Sequence, residues 1–183
     1  MAVQVETGPV VAIFASDKGP GDAERATLMG EVGRVFARKG ARILCLAEGG
    51  IIPVPLITAA RTAKGQVEVL ADTGIVLPPA LSGIPITVLP DHEERLAYIA
   101  ARASVLVGLP GSLTSATALF QTWAGGAKLP VVMLNRHRAF EVIRGFAADV
   151  LAPALPGHDR NIQFAENAED LWNKVVWVGE QRR

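Results

Sequence analysis

Cysteine, histidine and charge of one sign are all scarce in this chain, and each scarcity excludes a class of function. One cysteine is present in 183 residues, Cys45, inside the apolar run ARILCLA. No intrachain disulfide can form, which suits a reducing cytoplasm, and a lone cysteine in such a run reads as a small core residue. The three histidines and one cysteine are well separated, so no metal-ligand spacing occurs and no metal site is expected. Basic and acidic residues balance at 18 each. Without a basic surplus, neither a nucleic-acid partner nor a membrane surface is expected. No apolar stretch approaches the ~20 residues that span a bilayer. The opening MAVQVETGPVVAIFAS lacks a basic segment leading into a long apolar one, so no signal peptide is read and a cytoplasmic location is expected. Repeats, low-complexity tracts and interior linkers are absent too. The length suits one domain over 1–183, with about 178–183 as a flexible tail.

What is present is an alternation. Half of the residues are hydrophobic, enough for a sizeable core, and they fall into short β-rich runs separated by helical patterns. The runs 10–16, 41–47, 66–71, 86–90, 104–110 and 130–135 read as strands, with 162–164 as a short last one. Between them, 21–40 carries Leu28, Val32, Val35 and Phe36 at helical spacing and stops at Gly40, and 55–65 stops at Gly65. The segment 91–103 opens on Asp91 as an N-cap, and 139–153 and 168–178 are further helices. TGIVLPPALSGIP reads as a surface loop. Nearly all-apolar strands are covered on both faces. The expected fold is therefore α/β: a Rossmann-like, doubly wound, mainly parallel sheet of six to seven strands with helices on both faces.

In such a sheet, ligands bind beyond the C-terminal ends of the strands, where strand order reverses. Three loops qualify. SDKGPGD brings Ser16 and Lys18, EGGIIPVP brings Glu48, Gly49 and Gly50, and PGSLTSAT brings Pro110, Gly111, Ser112, Leu113, Thr114 and Ser115. Neither GxGxxG nor the Walker A pattern occurs. The third loop says most. A strand turning through glycine into a helix leaves the first amides of that helix unpaired at the positive end of its dipole, a site for phosphate. The hydroxyls of Ser112, Thr114 and Ser115 add donors there, or simply cap the helix. Glu48, where a strand meets a Gly-Gly turn, lies at the cleft as a functional carboxylate or as half of a salt bridge. Arg95 and His92 read as surface residues, His137 and His158 as solvated, and Trp123 as packing.

The order of these motifs resembles the LOG ("lonely guy") family, also labelled lysine decarboxylase-like, within the DprA/LOG Rossmann group. The resemblance runs from about Val10 to Val176. Where that family has PGGxGTxxE, this chain has PGSLTSATA. Pro110 and Gly111 match, Ser112 and Thr114 replace glycines, Ser115 stands for the threonine, and Ala118 falls at the glutamate. Arg95 falls at the family's catalytic arginine, and Leu96 replaces the lysine that often follows it. The resemblance implies hydrolysis of the N-glycosidic bond of nucleoside 5′-monophosphates, a reaction that builds positive charge on the ribose and needs a carboxylate beside it. Alanine at 118 cannot supply one.

The chain is similar also to molybdenum cofactor carrier proteins, which hold a phosphate-bearing pterin. Together these likenesses imply binding of a small phosphorylated ligand, a nucleotide or molybdenum cofactor, with no cofactor needed for folding. Phosphate is expected at Gly111, Ser112, Leu113, Thr114 and Ser115, beside Pro110. Arg95 is expected on the ligand's anion, and Ser16, Lys18, Glu48, Gly49 and Gly50 around the remaining cleft. Two rivals stand beside this reading: a phosphoribohydrolase using Glu48 as its acid, and a structural or partner-binding domain with an empty loop. A homodimer or homotetramer is also implied.

Overall fold

Every apolar run expected as a strand forms one, and all seven pair in parallel. The computed structural model describes residues 8–16, 23–125 and 128–182. The strands are β1 (Val10–Phe14), β2 (Arg42–Ala47), β3 (Gln66–Ala71), β4 (Ile86–Val88), β5 (Val105–Gly108), β6 (Val131–Leu134) and β7 (Ile162–Ala165). They form one sheet in the order β4-β3-β2-β1-β5-β6-β7. The helices are α1 (Ala23–Arg38), α2 (Val54–Thr62), α3 (His92–Arg102), α4 (Leu113–Ala124), α5 (Glu141–Phe146), the single turn α6 (Ala152–Ala154) and α7 (Ala168–Glu180). No helix among the described residues is long and apolar enough to cross a membrane.

Right-handed crossovers put consecutive helices on one face while the strands march in one direction, and on the other face once the march reverses. Accordingly α1, α2 and α7 pack on one face around Phe36, Leu56, Ile57 and Trp172. Phe36 and Trp172 meet edge to face, with ring centres 5.2 Å apart. The opposite face, around Phe14, Ile99, Leu119, Met133 and Phe140, is closed by α3, α4 and α5. β5 and β6 are buried along their whole length, and Cys45 is fully buried in the first core, where desolvation pushes its thiol up to about 12. Trp123 packs against the second core as expected.

The differences from the expected elements have local causes. β1 stops at Phe14 because β5, its partner, ends opposite at Gly108. Gly40 does end α1 in the left-handed region, at φ 81°, with the Ala41 amide bonded back to the Phe36 carbonyl. At the end of α2 the left-handed residue is Lys64. Gly65 serves close approach instead, since a Cβ there would lie 2.4 Å from the Ala37 Cβ. The loop after β3 holds a 3-10 turn, Pro79–Leu81, pinned by fully buried Leu81. The expected helix over 139–153 is broken into α5, a π-helical turn Ala147–Leu151 and α6. α7 runs to Glu180, through the first residues of the expected tail.

α1 and α2 cross where Gly33 lets backbone meet backbone: a Cβ on Gly33 would stand 2.4 Å from the Leu56 carbonyl oxygen, whereas one on Gly30 meets nothing nearer than 4.0 Å. Gly33→Ala is therefore expected to cost about 2 kcal/mol through overpacking. Gly30→Ala is expected to be neutral or to gain up to about 1 kcal/mol from helix propensity. Urea denaturation of both variants checks the pair, and equal effects would contradict the close crossing.

Candidate functional site

The strand order reverses between β1 and β5, so the chain leaves their C-terminal ends toward opposite faces and opens a crevice there. Ser16, two residues beyond β1, is fully buried in it. Its hydroxyl is the one buried side-chain polar atom with no hydrogen-bond partner among the described residues. The Gly111 backbone lies against it: a Cβ on Gly111 would stand 3.2 Å from the Ser16 amide nitrogen and 2.7 Å from the Ser115 hydroxyl. Glycine at 111 is thus a packing requirement of the crevice. Lys18 falls outside the described residues, as do Asp17, Gly19 and Gly21.

Ser112 and Ser115 form a capping box at the start of α4. The Ser112 hydroxyl accepts from the Ser115 amide at 3.2 Å, and the Ser115 hydroxyl accepts from the Ser112 amide at 3.1 Å. This accounts for two of the loop's hydroxyls by capping. The Leu113 and Thr114 amides, next along the helix, have no partner among the described residues. Leu113 is exposed, and Thr114 and Ser115 line a narrow cleft with Phe14, Leu46, Glu48, Ile51 and Ala118. Pro110 borders a second hollow beside Glu24 and His137. His137 is exposed as expected, though it bonds to Glu24.

Glu48 reaches the cleft from the end of β2. Gly49 and Gly50 follow it with φ of 59° and 77°, closing a tight turn in which the Ile51 amide bonds to the Glu48 carbonyl at 3.0 Å. Two successive left-handed residues are what such a turn needs. The Gly49 amide is tied to Asp72 at 2.9 Å. The two glycines therefore aim Glu48 by backbone conformation. Its Oε1 accepts from Arg95 Nε at 2.7 Å and faces His92 Nδ1 at 2.7 Å, and His92 Nε2 meets Gln121 Oε1 at 3.0 Å. Arg95 also donates through Nη1 to the Leu89 and Pro90 carbonyls at 2.6 and 2.9 Å. A chain of polar contacts thus joins β2, α3 and α4 around the cleft.

This corrects one reading. Arg95 is 5% exposed, not a solvated charge, and its guanidinium is engaged by Glu48 and two carbonyls. His92 lies at the surface as expected, its side chain 41% exposed, yet it bonds into the same cluster. A signal existed in the sequence: Arg95, Ile99 and Ala103 recur every four residues, which puts Arg95 on the buried stripe of α3, and His92 stands one turn before it. Gln121 carried no comparable signal. Asp91 caps α3 as expected, accepting from the Glu93 amide at 2.7 Å. Ala118 is buried on the cleft wall.

The Gln121 bond, then the bond and charge of Glu48, hold the His92 proton above its ordinary value, against partial desolvation and the Arg95 charge. With both ring nitrogens facing carbonyl-type oxygens, the imidazolium is the form that fits. A histidine pKa raised by folding adds stability that is complete below the unfolded value of about 6.5 and fades as pH rises through the folded value. The His92 ring is expected to titrate above about 6.5 by NMR, and His92→Gln to cost more stability near pH 5.5 than near pH 9. A pH-independent cost would contradict the ion pair.

No protein-family model matches the chain, and no curated protein matches it by sequence. Solved structures match its shape. The molybdenum cofactor carrier protein of Chlamydomonas reinhardtii superposes with a TM-score of 0.71 at 16% identity, covering 95% of this chain and 99% of that one. The molybdenum cofactor binding protein of Rippkaea orientalis gives 0.66 at 13% identity, with 92% and 96% covered. DNA processing protein A of Helicobacter pylori gives 0.62 at 15% identity, with 93% and 81% covered. At these identities the likeness shows a shared Rossmann-like fold.

Proposed function

We propose that this protein binds a small phosphorylated ligand in the crevice between the ends of β1 and β5. The observation that carries the reading is the buried Ser16 hydroxyl, without a partner among the described residues, on a residue whose backbone and Cβ pack against Gly111. An orphaned buried hydroxyl costs about 1–3 kcal/mol, a cost that a ligand oxygen removes. The unpaired Leu113 and Thr114 amides, at the positive end of α4, supply the charge preference. Thr114 offers a further hydroxyl. The capping-box hydroxyls of Ser112 and Ser115 hold the loop in shape and occupy each other's amides. Arg95 acts through Glu48 as a positioning residue.

A nucleotide and the molybdenum cofactor both carry the phosphate such a site accepts, and the shared fold with two molybdenum cofactor proteins supports including the second. The Leu113 and Thr114 amides and the Ser16 hydroxyl would hold the phosphate of either one. On this reading the protein acts as a carrier or sensor, and the family resemblance supports a homo-oligomer. Ser16→Ala separates stability from binding. It is expected to stabilise the ligand-free protein by about 1 kcal/mol while weakening AMP, molybdopterin or inorganic phosphate binding roughly 3- to 10-fold. Thermal melts and calorimetric titrations read both. Unchanged affinity for every probe in the panel would sink the proposal.

A second reading rests on Glu48. Its carboxylate lines the same cleft wall as Ala118 and is held by Arg95 and His92, so a carboxylate is available for stabilising positive charge on a ribose ring. On this reading the protein releases free base from nucleoside 5′-monophosphates, and Glu48→Gln lowers turnover about 100-fold or more. Chromatography of AMP incubations shows it. Absence of free base with the unaltered protein would leave binding alone.

A further inference from the structure

The other end of the sheet carries features that the crevice does not use. β3 breaks the all-apolar pattern at its start, where Gln66 and Glu68 alternate with Val67 and Val69. α3 explains why this is tolerated. It runs from the end of edge strand β4 back to β5, while Arg42 and Gln66, at the starts of β2 and β3, stay exposed. Its last turns reach this end through Tyr98 and Arg102. A cavity of about 680 Å³ lies here, at the N-terminal ends of the strands, walled by β2, β3 and the Gly83–Pro85 turn. Its volume lies in the range of small-molecule sites, about 300–1,000 Å³.

Its charge is one-sided. Arg42, Arg61 and Arg102 line it, against the single carboxylate of Glu68. None of the three arginines has a carboxylate partner among the described residues. Each is exposed, yet each has a neighbour that orients it. Arg42 Nε donates to the Gly8 carbonyl at 3.3 Å. Arg61 donates to the Ala80 and Ser82 carbonyls at 3.4 and 3.1 Å. The Arg102 guanidinium stacks on the Tyr98 ring at 4.2 Å. Glu68 is itself occupied, its Oε1 accepting from Thr87 and Tyr98 hydroxyls at 2.8 and 2.7 Å. Anchored arginines lose less rotamer freedom when a ligand arrives, and the guanidinium fork matches planar or tetrahedral oxyanions.

We infer that this cavity is a second anion site, on the far end of the sheet from the β1–β5 crevice, and that it takes a small organic dianion held by Arg42, Arg61 and Arg102. A phosphate monoester and a dicarboxylate present the same pair of negative charges to these groups. The experiment therefore uses both: AMP and succinate, titrated separately into uniformly labelled full-length protein at low salt and followed by amide NMR.

Binding here is expected to shift the amides of Gly65, Val67, Gly83 and Ile84 in a saturable way. The Arg42→Gln/Arg102→Gln double variant is expected to weaken that response at least 10-fold while the Ser16→Ala variant leaves it unchanged. The probe that binds tighter names the head group. Shifts confined to residues 108–115 would overturn this site and leave the crevice standing. Saturable shifts at Gly65–Ile84 that persist in the folded double variant, or none with either probe, would overturn it as well.

Discussion

β1 and β5 lie side by side, paired from Val11 and Val105 to Phe14 and Gly108, and the chain leaves them on opposite faces. That divergence constrains everything built around it. Two parallel strands whose connections part cannot be covered by a single helix at their ends, so a crevice is unavoidable. Its walls must then be small. A Cβ at Gly108 would meet the Leu119 side chain at 2.6 Å, and one at Gly111 would meet the Ser115 hydroxyl at 2.7 Å. The capping box of Ser112 and Ser115 fixes the loop in the narrow space that remains. Ser16, left behind these glycines, is cut off from water without a partner among the described residues.

A second constraint is the charge at the crevice mouth. Arg95 is buried on α3 because its position on the helix demands it, and a buried guanidinium is expensive unless paired and hydrogen-bonded. Glu48 meets that demand from β2, and the Leu89 and Pro90 carbonyls meet it from the turn before α3. The pair is held by three separate pieces of chain. Its worth lies in orientation, since buried ion pairs add little net stability over apolar packing. The result is a carboxylate kept in one direction beside the cleft, with His92 and Gln121 bracing it from α3 and α4.

The two ends of the sheet therefore differ in kind. At the C-terminal ends the polar groups are backbone amides, hydroxyls and one braced carboxylate around a narrow crevice. At the N-terminal ends they are arginines around a wide cavity.

The fold was legible in the residues themselves. Short buried runs such as VLVG and VVML have no polar face to offer water, so parallel pairing between layers of helices was the arrangement open to them. Asp91 announced its helix, and Gly40 announced an end. The loop after β5 was likewise legible as a helix start, because capping chemistry is local. What stayed hidden depends on groups that meet across the chain. Whether Arg95 is solvated depends on Glu48, 47 residues away, and Gln121 joins His92 only because α3 and α4 pack together. The layers and the order of elements along the chain followed from the residues alone, since these rest on local burial and backbone preference. Only the tertiary structure decided which polar side chains were left to pair with one another, because that follows from how distant segments meet in space.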